Sequence, residues 1–145
     1  MQAKTISGYG VDITGMDFET PVFLKFVKDH APAIYNDYFL DIPDDCIFPD
    51  VIIKLQDYKA DGVFDYGYGA IITEIIRNET GIAFDYSIGE FEGMFIFYPK
   101  RMPWEMTEQE KSLTGEKICD ILQPYFTELG INNISCEYFS VRYYS

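Results

Sequence analysis

The residue types that most often carry catalysis or bind metals are scarce in this chain. His30 is the only histidine, which excludes a metal site that needs two, such as H-E-x-x-H. No G-x-S-x-G segment is present to hold a serine nucleophile. His30 follows Phe26 and Val27 at helical spacing, so we predict a partly buried structural histidine, with a catalytic role as the alternative.

The cysteines show no sequence pattern for joint chemistry. Cys46, Cys119 and Cys136 are odd in number and lack C-x-x-C spacing. Neither a disulfide framework nor a zinc site is therefore indicated. We expect three reduced thiols that pack as small apolar side chains and share no chemistry.

Two glycine pairs and a set of aspartates could be mistaken for ligand sites. The Gly-Tyr-Gly sequences at 8–10 and 67–69 lack the third glycine of G-x-G-x-x-G, so they predict turns or bulges. An EF-hand needs ligands at alternate positions, whereas Asp57, Asp61 and Asp65 recur every four residues. Loose cation binding by aspartates between 41 and 50 is an alternative, but we predict no metal, cofactor or catalytic residue.

The clearest pattern is the concentration of aspartates in residues 37–65, which we call the acidic segment. The chain has 24 acidic and 11 basic residues, a formal net charge of −13. Eight aspartates against two lysines give the segment a charge of −6 in 29 residues, and tyrosines and phenylalanines lie in or beside it. We predict a partner-binding surface made of Asp37, Asp41, Asp44, Asp45, Asp50, Asp57, Tyr58, Asp61, Asp65 and Tyr66. The alternative is a solvated acidic face whose aromatic residues belong to the core.

The charge pattern favours one class of function. Carboxylates with aromatic anchors suit an Arg-rich or nucleic-acid-binding groove on a protein, whereas the net charge disfavours direct nucleic acid binding. We predict a small acidic non-enzymatic protein that binds a basic partner, such as a nucleic-acid-binding enzyme. Compact acidic inhibitors of nucleic-acid enzymes, including phage-encoded anti-CRISPR proteins, share this size and charge. The alternatives are a small hydrolase or ligand binder with a cleft near Arg101 and Trp104, and a structural or assembly subunit.

Apolar periodicity predicts an α+β fold, with helices packed on one face of a small, mainly antiparallel sheet of three or four strands. A hairpin at Ile82–Tyr98 has a two-residue turn at Gly89-Glu90. Its second arm, residues 91–98, is almost wholly apolar, which predicts a central strand covered on both faces. Further strands are predicted at residues 4–13 and 134–144.

Caps, prolines and glycines predict where the helices begin and end. One helix starts at Thr20-Pro21, is ended or restarted by Pro32 and continues up to residue 43. Residues 49–58 favour a helix, with a strand as the alternative. The remaining predicted helices are one around residues 71–76 that stops at Gly81, and a long one that begins with the capping box of Thr107 and Glu110, is kinked by Pro124 and ends at Gly130.

Length and composition favour one domain spanning residues 1–145. No apolar run of about 18 residues is present to cross a membrane. The N-terminal residues lack the apolar core of a signal peptide, so we expect a cytoplasmic protein. Nothing in the sequence indicates an oligomeric state.

Overall fold

The computed structural model describes residues 3–51, 68–88 and 93–144. Within these ranges the strands are β1 (Ala3–Asp12), β2 (Asp85–Ile88), β3 (Met94–Pro99) and β4 (Cys136–Tyr144). The helices are α1 (Thr20–His30), α2 (Pro32–Tyr38), α3 (Tyr68–Thr80), α4 (Glu108–Lys111) and α5 (Gly115–Glu128), with a 3₁₀ turn at Pro103–Glu105. No helix in the described ranges is long and apolar enough to cross a membrane.

The four strands form one antiparallel sheet in the order β2-β3-β1-β4. Helices α3 and α5 pack against it, which confirms the predicted α+β fold with helices on one face of a small antiparallel sheet. The predicted central strand, β3, is one of the two inner strands, and the N-terminal strand β1 is the other. Strand β4 therefore lies at a sheet edge.

Strand β3 is covered on both faces, as its apolar sequence predicts. Ile96 and Tyr98 belong to the core between sheet and helices. Phe97 alternates with them and lies on the opposite face, where it is 0% exposed. Its ring packs against Phe139 with 5.6 Å between centroids. Gly10 lies opposite Phe97 on β1, and any Cβ atom there would overlap the Ile96 carbonyl and Phe97.

The hairpin register differs from the prediction. Asp85 pairs with Phe97 and Ile88 pairs with Met94, which leaves residues 89–93 between the paired positions. The predicted two-residue turn at Gly89-Glu90 is therefore wrong, although residues 89–92 themselves lie outside the described ranges. The sequence predicts a strand from residue 91, whereas β3 begins at Met94 and Gly93 lies before it; residues 91 and 92 lie outside the described ranges.

The first helices follow the predicted signals. Helix α1 carries Pro21 in its first turn, and Pro32 opens α2 after the chain changes direction at Ala31. Residues 48–51 are helical, and the rest of the predicted helix over 49–58 lies outside the described ranges. Helix α3 already includes Tyr68 and Gly69, which were expected in a turn, and it ends before Gly81 at φ +72°.

The predicted long helix is two helices. The capping box is present, since the Thr107 side chain accepts from the Glu110 N–H and the Glu110 carboxylate accepts from the Thr107 N–H. It caps only α4, because Thr114 then caps a second helix by accepting from the Lys117 N–H at 3.2 Å. Pro124 lies inside this second helix, α5, and Gly130 at φ +92° follows its end.

Candidate functional site

The described part of the predicted surface is residues 37–50, which we call the acidic surface. All five of its aspartates are exposed to solvent: Asp37, Asp41, Asp44, Asp45 and Asp50. The other predicted site residues, Asp57, Tyr58, Asp61, Asp65 and Tyr66, lie outside the described ranges. The surface begins at the end of α2 and ends in the helical turn at residues 48–51.

Buried residues hold the chain of the acidic surface at intervals. Phe39 is 0% and Ile42 is 7% exposed, and both belong to the hydrophobic core. Backbone hydrogen bonds join the Ile42 N–H to the Phe39 carbonyl at 3.1 Å and the Cys46 N–H to the Pro43 carbonyl at 3.1 Å. These anchors and turns direct the intervening aspartates outward.

The aspartates of the acidic surface are not neutralised by the described part of the chain. Residues 37–50 contain five aspartates and no lysine or arginine. None of the five forms an ion pair with another described residue; the five ion pairs there lie elsewhere. Unpaired carboxylates this close together produce a negative potential that extends into solvent.

Two large apolar side chains are exposed among these aspartates. Leu40 is 64% exposed and Ile47 is 63% exposed. The aromatic residues described nearby turn inward instead: the ring of Phe48 lies 5.2 Å from that of Phe23 and 5.1 Å from that of Tyr68. The sequence predicts aromatic anchors for the binding surface, so it does not identify Leu40 and Ile47 as candidates. Nothing in the local pattern marks them as exposed.

An open groove of about 430 Å³ lies beside the acidic surface. Its two lysines have partners on the protein. The Lys25 ammonium pairs with the Asp29 carboxylate at 2.5 Å, and Lys28 lies 5.6 Å from the centre of the Tyr35 ring. The groove is lined by Pro21, Leu24, Lys25, Lys28, Asp29, Tyr35 and Asp44. Its charge is mixed, because these residues include two lysines and two aspartates.

His30 joins the C-terminal ends of three helices. Its Nδ1 lies 2.6 Å from Glu79 Oε2 and its Nε2 lies 2.8 Å from Glu128 Oε2. Both nitrogens can donate to carboxylates only when the imidazole is protonated. Burial lowers the His30 pKa, but hydrogen bonds and charge from Glu79 and Glu128 outweigh it and raise the pKa overall. The imidazolium also lies at the end of α1, where the helix dipole favours a cation.

This cluster gives His30 a structural role, because its imidazole bonds to carboxylates on two other helices. Its side chain is 19% exposed, which confirms the predicted partial burial. Within the described ranges, no group of three histidine, cysteine or acidic side chains is arranged to hold a metal ion. Through Glu79 and Glu128, His30 links α1 to α3 and α5, and these partners lie 49 and 98 residues away in the chain, so local sequence does not predict them.

The alternative site named in the sequence analysis is a cleft near Arg101 and Trp104. Trp104 is 79% exposed on the 3₁₀ turn. Arg101 lies 3.8 Å from the carboxylate of Glu110, which is 2% exposed. Burial raises the Glu110 pKa, but hydrogen bonds from the Thr107 and Ala83 N–H groups and the charge of Arg101 lower it overall. Glu110 is thus an ionised group that holds the 107–110 turn against Ala83.

No protein family model, curated protein or solved structure matches this chain.

Proposed function

We propose that the protein is a small cytoplasmic, non-enzymatic binding protein whose acidic surface occupies a basic, nucleic-acid-binding surface of a protein partner. It would act there as an inhibitor by mimicking nucleic-acid charge. The observation that carries the proposal is the acidic surface itself: five exposed aspartates in 14 residues, without an ion pair to any other described residue, around Leu40 and Ile47.

Charge and apolar contact would contribute at different stages of binding. Unpaired carboxylates attract a positively charged surface before contact, which raises the association rate and makes it dependent on salt. The field extends over about 8 Å at physiological ionic strength. Leu40 and Ile47 would be buried only after docking, so they would slow dissociation. Charge would therefore set how fast the partner associates, and the apolar anchors would set how slowly it dissociates.

The fold supports a role in binding because the acidic surface is held in place. Phe39 and Ile42 fix it from beneath, and its own backbone hydrogen bonds shape the turns between them. A surface that is ordered before binding loses less conformational entropy on docking.

Affinity capture from the source cell tests this proposal. The wild-type protein and the variant D41K/D44K/D45K, which changes the charge by +6, serve as baits at about 50 and about 200 mM salt. The matched control is E74K/D120K/E137K, which makes the same charge change at three exposed positions outside the acidic surface.

We expect a basic nucleic-acid-binding protein on the wild-type and control baits, retained better at low salt, and lost from the D41K/D44K/D45K bait. Capture of the same partner by all three baits would contradict the role of the acidic surface. If both triple variants lose the partner equally, the net charge of the protein and not the acidic surface explains the binding. Circular dichroism of each bait separates loss of binding from loss of fold.

A further inference from the structure

The groove beside the acidic surface brings together an aromatic ring and a carboxylate. Tyr35 on α2 and Asp44 in the chain after it both line this groove. The lining also includes Leu24, which is 3% exposed, so the groove offers apolar as well as charged contacts. Asp44 belongs to the acidic surface too, and a partner that docks on that surface would therefore reach the groove.

The protein holds the ring and the carboxylate in place. The Tyr35 ring packs edge-on against the ring of Phe39, with 6.1 Å between centroids, and Phe39 is 0% exposed. Asp44 lies in a turn that is closed by the hydrogen bond from the Cys46 N–H to the Pro43 carbonyl at 3.1 Å. Groups that are ordered before binding lose less conformational entropy when a ligand arrives.

A cation of the protein itself already lies over the Tyr35 ring. The Lys28 ammonium is 5.6 Å from the ring centre, within the roughly 6 Å over which a ring attracts a cation. Lys28 is exposed, and none of the ion pairs in the described ranges includes it. Its flexible side chain can therefore leave the ring without leaving a carboxylate unpaired.

We propose that the groove binds an arginine side chain of the basic partner, with the guanidinium stacked on Tyr35 in place of Lys28 and paired with the Asp44 carboxylate. This arginine site rests on the proposed function, because the arginine belongs to the partner that docks on the acidic surface.

The groups that line the groove favour arginine over lysine. A guanidinium is planar, so it can stack on an aromatic ring while its N–H groups donate to a carboxylate. A lysine ammonium would bring only a point charge to a ring where Lys28 already provides one. The methylene groups of arginine can pack along Pro21 and Leu24.

The charges of the groove allow the exchange of one cation for another. Lys25 and Asp29 pair with each other at 2.5 Å, so they leave no net charge. The Asp44 carboxylate is exposed and forms no ion pair with any described residue. When Lys28 turns towards solvent, the arginine takes its place on the ring and gains the contact with Asp44.

Titration of the full chain with N-acetyl-arginine amide, followed by the NMR shifts of the backbone amides, tests the site. We expect saturable shifts around Leu24, Tyr35 and Asp44. The neutral isostere N-acetyl-citrulline amide should bind at least about fivefold more weakly, because it lacks the positive charge that both contacts need.

Two pairs of variants separate this site from general attraction to an acidic protein. D44N should weaken binding of the arginine amide at least about fivefold, whereas D45N, at the adjacent exposed aspartate that does not line the groove, should leave it unchanged. K28A should bind at least about twofold more tightly, because the competing cation is gone. Its control K100A removes the same charge at an exposed position outside the groove and should bind like wild type.

Three results would overturn the arginine site: equal binding of the arginine and citrulline amides, equal weakening by D44N and D45N, or a K28A variant that binds no tighter than K100A. The first comparison uses only the wild-type protein, so it decides the matter even if a variant fails to fold. Any of these results would leave salt-dependent capture of a basic protein by the acidic surface intact. Absence of a basic protein from the wild-type bait would instead contradict both the proposed function and the source of the arginine.

Discussion

Replacing Phe97 with alanine is the sharpest test of the sheet. The ring is 0% exposed, although it lies on the face of β3 opposite the helices. Deleting a fully buried phenylalanine costs about 3–5 kcal/mol, and the larger values apply where the cavity cannot collapse. The backbone of β1 at Gly10 lies against Phe97 and cannot move inward without breaking strand pairing. We therefore expect a cost near the upper end, about 4–5 kcal/mol.

Phe95→Ala is the matched control. Phe95 lies on the same face and its ring is 4.5 Å from that of Phe139, but it is only partly buried. We expect it to cost about 1–3 kcal/mol, because part of its surface already meets water. A strand over residues 91–98 that is covered on both faces would bury Phe95 fully, but the structure leaves Phe95 partly buried and buries Phe97.

Urea denaturation followed by circular dichroism measures both losses. The denaturation midpoint should fall further for Phe97→Ala than for Phe95→Ala, with unchanged slopes, as expected when stability alone changes. Equal losses would refute the reasoning, and so would a loss below about 1 kcal/mol at Phe97, because either result would mean that this face does not enclose the ring.

The remaining predictions concern three other positions. His30→Gln should remove a stabilisation that is fully present below the unfolded-state pKa of about 6.5 and lost as pH rises through the raised folded-state pKa, so the difference in Tm from wild type should shrink with rising pH. Glu110→Ala should cost about 2–4 kcal/mol in denaturant melts, because the Thr107 and Ala83 N–H groups lose their acceptor; a cost below about 1 kcal/mol would contradict its structural role. Gly10→Ala should prevent β1 from pairing closely with β3, so a variant with wild-type Tm would contradict the described approach of the two strands.

Local signals predicted the start and end of most elements. Pro21, Pro32 and Gly81 act through their own backbone geometry, so their effect is visible in the sequence. The single helix expected over 107–130 was wrong because two capping sequences compete. Thr107 caps one turn, whereas the close contact of Gly115 with Tyr9 accompanies a second start at Thr114. That contact is tertiary and has no local signature.

The sequence likewise predicts only part of the candidate site. The exposure of Asp41, Asp44 and Asp45 follows from the high cost of burying unpaired carboxylates. The exposure of Leu40 and Ile47 does not, because an apolar side chain can occupy either environment.

The association rate with the captured partner, measured against ionic strength, tests the central claim most directly. The comparison uses wild type, D41K/D44K/D45K and the control E74K/D120K/E137K. We expect the wild-type rate to fall with salt, the D41K/D44K/D45K rate to be more than tenfold lower at low salt with a much weaker salt dependence, and the control to stay close to wild type. A wild-type rate that is independent of salt, or equal rates for the two triple variants, would contradict the proposal that the acidic surface is the binding site.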